Sequence, residues 1–69
     1  MMAPHQERVV AEKRELDIKI SALRAFSANV PVFAALKFWQ QDLLERQLKI
    51  MVNYSAILGE RIAAFEVTS

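Results

Sequence analysis

The chain has 69 residues, room for one domain, and so short a chain buries only a limited share of its surface on folding. It has no Cys and a single His, which excludes a disulfide framework, a zinc knuckle and a cysteine nucleophile. Nine basic and eight acidic side chains leave a net charge of +1, too weak a field to draw the chain to nucleic acid non-specifically or to an anionic membrane surface.

Small scaffolds without disulfides or a structural metal usually complete their cores by assembling. The hydrophobic fraction of 54% is more apolar surface than one hairpin hides, so self-association into a homo-oligomer is expected. The longest uncharged stretch, 25–36, contains Asn29 and Pro31 and is about half the length needed to span a bilayer, which excludes a membrane helix there. The N-terminus carries Glu7 and Glu12 among its first basic residues and lacks the apolar run of a secretory signal. The absence of Cys fits a cytoplasmic setting.

One Gly and two Pro punctuate the chain very little, which favours long helices. Pro4 suits a first helical turn, and Val9, Leu16, Ile20 and Leu23 then fall on one stripe with Lys13 at the intermediate position. This predicts a first helix over about 4–26, with Val10 and Ile18 broadening its apolar face. Ser27 to Pro31 reads as the break at which the chain reverses, since Pro31 biases Val30 away from helical dihedrals. A short helical turn up to Leu36 then caps the hairpin with Val32, Phe33 and Leu36, so the connection covers about 27–36.

The second helix, about 37–66, has the clearest pattern. Leu44, Leu48, Met51, Ser55, Leu58, Ile62 and Phe65 alternate steps of four and three, and only Ser55 interrupts the apolar row. A second row runs beside it through Leu43, Ile50, Tyr54, Ile57 and Ala64, with Gln47 and Arg61 interrupting. Two adjacent seams on one helix imply two packing partners, the first helix and another protomer. Gly59 lies inside this helix at a cost of about 1 kcal/mol relative to Ala, and reads either as close approach across an interface or as simple tolerance. The fold class is therefore all-α: an antiparallel two-helix hairpin, one domain over 1–69, assembling into an oligomeric bundle.

Candidates for chemistry are few. His5 lacks a positioned partner, and Ser21, Ser27 and Ser55 lack the strand-turn-helix setting of a hydrolase nucleophile, so no enzyme and no catalytic residue are expected. Glu12 and Glu15 lie within reach of Lys13, Arg14 and Lys19 for surface ion pairs. Phe38 and Trp39 cannot both face one core, so at least one of them should be partly exposed, free to stack on a base or anchor a protein contact. Tyr54 should turn its ring inward and its hydroxyl to an edge, while Arg61 on the same row needs an anion, either a carboxylate of another protomer or a ligand phosphate. Arg8, Lys13 and Arg14 form a basic group that symmetry would duplicate.

The opening run from Pro4 to Asp17, together with 47–51 and 54–62, resembles a family of short phage and prophage helical-hairpin proteins over nearly the whole chain. That family is similar in size and layout to the phage sponge proteins that counter CBASS and Thoeris immunity by holding cyclic nucleotide signals between protomers. The shared features are the His5-Gln6 pair, Arg14-Glu15-Leu16 and the long second helix with its arginine-bearing row. Lys13 stands where the sponges place a base-stacking tyrosine. The resemblance implies a non-enzymatic phage protein of the host cytoplasm that sequesters a cyclic oligonucleotide at protomer interfaces, without cofactor or metal. Its candidate ligand-binding residues are Arg8, Lys13, Arg14, Arg61, Tyr54 and Trp39. The alternative is a helical module that binds a host protein through Phe33, Phe38 and Trp39, and a purely structural oligomer is a third reading.

Overall fold

The computed structural model describes residues 2–68, and side chains as far as Phe65. Three helices follow in order: α1, Pro4–Ala28; α2, Val30–Ala34; and α3, Phe38–Thr68. α1 and α3 pack antiparallel along their length, since His5 meets Phe65 at one end while Lys13 and Asp17 meet Ser55 near the middle. The long dimension of the molecule is 49 Å, the length that the 31 residues of α3 reach at ~1.5 Å per residue.

Both long helices begin with the same device. Gln6, three residues after Ala3, accepts a hydrogen bond from the Ala3 N–H at 2.9 Å; Gln40 does the same for Lys37 at 3.0 Å. The carbonyls of Ala3 and Lys37 in turn accept the first amides of each helix, so these two glutamines supply half of a capping box.

The break between α1 and α2 lies within the predicted 27–31 but is narrower than the sequence predicts. Ser27 and Ala28 stay in α1, Val30 is already helical, and the only extended residue is Asn29, with φ −79° and ψ 90°. The Asn29 carbonyl accepts the Phe33 N–H at 2.9 Å and so starts α2, and Pro31 sits in the first turn, where its missing N–H has no helical partner to lose. The reversal itself occurs at residues 35–37. There Gln41 of α3 donates to the carbonyls of Phe33 and Leu36 at 3.1 and 3.0 Å, which ties the short helix to the start of the long one.

The core is thin. Val9, Ile20 and Leu58 are the buried apolar side chains among the described residues, and Leu58 alone is fully enclosed. The row from Leu44 to Phe65 faces α1, whereas Leu43, Ile50, Tyr54 and Ile57 of the neighbouring row are all exposed. The fold is therefore all-helical as expected, with long helices packed against each other.

Candidate functional site

Each long helix has one polar interruption in its apolar row, Lys13 in α1 and Ser55 in α3, and the fold brings the two together. Lys13 Nζ donates to Ser55 Oγ and to Asp17 Oδ2, both at 2.9 Å, and the Ser55 hydroxyl donates to Asp17 Oδ1. Ser55 is buried, so its hydroxyl needs these partners; Asp17 and Lys13 are half-exposed. The Ser55 hydroxyl, and after it the Lys13 ammonium, hold the Asp17 carboxyl below its usual range, because both bond to its charged form. Lys13 therefore pairs with Asp17, one turn along α1, and not with Glu12 or Glu15 as its spacing in the sequence suggested.

Gly59 belongs to the same contact. A Cβ there would lie 3.4 Å from Lys13 Cε, an ordinary van der Waals contact with the end of a flexible side chain, so within one chain the lysine stem passes over Gly59 without requiring glycine there.

Two grooves lie on the flank that Lys13 borders. One, of about 550 Å³, is lined by Val10, Lys13, Arg14, Asp17, Ile18, Ser21 and Ile62. The other, of about 580 Å³, gathers Arg24, Asp42, Glu45, Arg46, Lys49 and Asn53 over Leu48 and Val52. Arg14, Ser21 and Arg24 are spaced seven and three apart, which puts them on one face of α1 and both grooves on one side of the hairpin. Each groove sets charged side chains of both signs around an apolar floor; no group of carboxylate or imidazole side chains among the described residues is arranged to hold a metal ion.

The six candidate residues do not form one site within a chain. Lys13 and Arg14 share a groove, and two of the three donors on Lys13 are already engaged. Arg8 is exposed, about a turn and a half before Arg14. Tyr54 is 42% exposed rather than turned inward, because its row faces away from α1, and Arg61 is exposed two turns further along that row. Trp39 sits at the tip, 59% exposed beside an 89% exposed Phe38, so both aromatics project outward. Arg24 and Lys49 were not singled out from the sequence, since each is an ordinary charge on the outer face of a helix until the two helices are laid side by side.

These features define a class: a small helical hairpin whose polar side chains hold its helices together and border shallow grooves, with His5 edge-on to Phe65 where the two ends meet. More particularly, the model of the Sequestin family matches residues 3–64, and the chain belongs to that family. The name denotes sequestration, a role of binding a molecule rather than converting it. Among curated proteins and among solved structures nothing matches the chain. No helix among the described residues is long and apolar enough to cross a membrane.

Proposed function

We propose that the chain is a phage-encoded, non-enzymatic protein of the host cytoplasm that counters antiviral defence by sequestering a cyclic oligonucleotide signal between protomers. Family membership supplies the sequestering role. The observation that carries the ligand class is the groove beside Lys13 and Arg14, where donors for phosphate border the apolar residues Val10, Ile18 and Ile62, a surface for a base or a ribose. Arg8, Arg61, Tyr54 and Trp39 join the site only if a second protomer brings them to it, since no one chain does. Lys13 replaces an aromatic stacking surface with a donor that Asp17 and Ser55 hold in place.

Calorimetry and thermal shift with a panel of cyclic di- and trinucleotides test this reading. Tight binding that Arg14→Ala weakens by at least about tenfold, the loss of one charge-assisted contact, is the expected outcome. No heat and no shift across the panel would remove the proposal.

The exposed tip favours a second reading. Phe38 and Trp39 present a large apolar surface that a host protein could cover, and Trp is enriched at such contacts. Capture of one host protein, lost on Trp39→Ala, would select this reading over nucleotide sequestration.

A further inference from the structure

We infer that two copies of the chain pair through α3, antiparallel, with Tyr54 at the two-fold axis. This deepens the shared-interface part of the proposed function, but it stands on the outer row of α3 alone. That row lies one residue, and so about 100°, around α3 from the row packed on α1, and it runs the same steps of four and three. Ile50 is 68% exposed, Ile57 54% and Leu43 48%, an apolar edge interrupted at Gln47 and Arg61, with the heptad spacing of a helix seam and no helix on it among the described residues.

The area is what a dimer needs. The chain exposes 5413 Å², against roughly 4,400 Å² for a globular monomer of its mass. The excess of about 1,000 Å² is close to the roughly 800 Å² that each partner buries in a stable interface.

The register identifies the occupant. In an antiparallel pair centred on Tyr54, the two polar interruptions meet, the Gln47 amide opposite the Arg61 guanidinium of the second copy, and Ile50 packs beside Ile57 of the second copy one residue, about 1.5 Å, off level. On the flank of the same seam, Arg46 lies two residues, about 3 Å along the axis, from the level of Glu60 of the second copy, a gap its long side chain spans. The row is thus complementary to itself read backwards, as a two-fold interface requires. A parallel pair would instead stack Arg61 on Arg61, which like-charge repulsion disfavours.

Sedimentation and disulfide trapping test this directly, since the chain has no cysteine of its own. Dimer at tens of micromolar is expected, and Ile57→Glu should shift it to monomer. Arg46→Glu and Glu60→Arg should each raise the dimer dissociation constant on the order of tenfold, and the double variant should restore it. Under mild oxidation Tyr54→Cys should cross-link to itself, and Gln47→Cys should cross-link to Arg61→Cys in a mixture but not to itself. Unmodified protein that stays monomeric at 100 μM would overturn the inference, and so would Gln47→Cys cross-linking to itself as readily as Tyr54→Cys. A dimer that binds no cyclic nucleotide would remove the proposed function and leave this interface standing; a monomer that binds one would do the reverse.

Discussion

Ser55 occupies a position where the pattern of α3 calls for an apolar side chain, and its hydroxyl is the only buried group that links the two long helices by hydrogen bonds among the described residues. Ser55→Ala keeps the packing but withdraws a partner from both Lys13 and Asp17, so a loss of about 1 kcal/mol in urea unfolding is expected. The sign of the pH dependence follows from Asp17. Its carboxyl titrates lower in the folded chain than in the unfolded one, so its contribution is fully present above the ordinary aspartate range near pH 4 and fades as the pH falls through the folded value. Melting curves between pH 5 and 2.5 should therefore drop more steeply for the native chain than for Asp17→Asn. Gly59 is a different case. A methyl there would meet only the flexible end of Lys13 at ordinary van der Waals distance, so Gly59→Ala should raise stability by up to about 1 kcal/mol through helix propensity, measured by thermal melting.

At the scale of the element, α2 is the weakest part. Five residues are too few to form a helix on their own, and none of them is buried. What fixes α2 is the Phe33 carbonyl near its end and the Leu36 carbonyl just after it, both of which Gln41 reaches from the next helix, together with the extended Asn29 before it. Gln41→Ala is expected to cost about 1 kcal/mol in unfolding free energy and to raise amide exchange at Ala35 and Leu36 while leaving the middle of α3 protected, a pattern that hydrogen exchange resolves. The long helices differ in kind. Their apolar rows were legible because steps of three and four recur along them, but their starts were not, since Gln6 and Gln40 look like ordinary surface residues until each is seen to accept the amide three residues before it. The break at Asn29 was legible but was read too wide, and the reversal was put there instead of at 35–37, because the preference of Pro31 acts on one residue, while the helical hydrogen bonds of Ser27 and Ala28 are settled by the chain that precedes them.

For the whole molecule, the shape follows from how little there is to enclose. The radius of gyration is 15.6 Å, against about 11 Å for a compact chain of this length, so the hairpin is a rod with one side of its longer helix bare. If that side is covered by a second copy, folding and association are linked, and the melting temperature should rise by several degrees when the protein concentration is raised a hundredfold; a melting temperature independent of concentration would mean that each hairpin is stable alone.

Composition and periodicity by themselves determined the helices and the two rows on α3, because burial of one face leaves a regular trace along a helix. They also showed the two polar interruptions, Lys13 and Ser55, without showing that these were addressed to each other. Only the tertiary structure decided that pairing, the place of Gly59 beneath the lysine stem, and the grouping of Arg24 with Lys49 in one groove. The reason is that each of these depends on how far along and around α1 lies against α3, and a sequence records the face a helix buries but not the level at which its neighbour meets it.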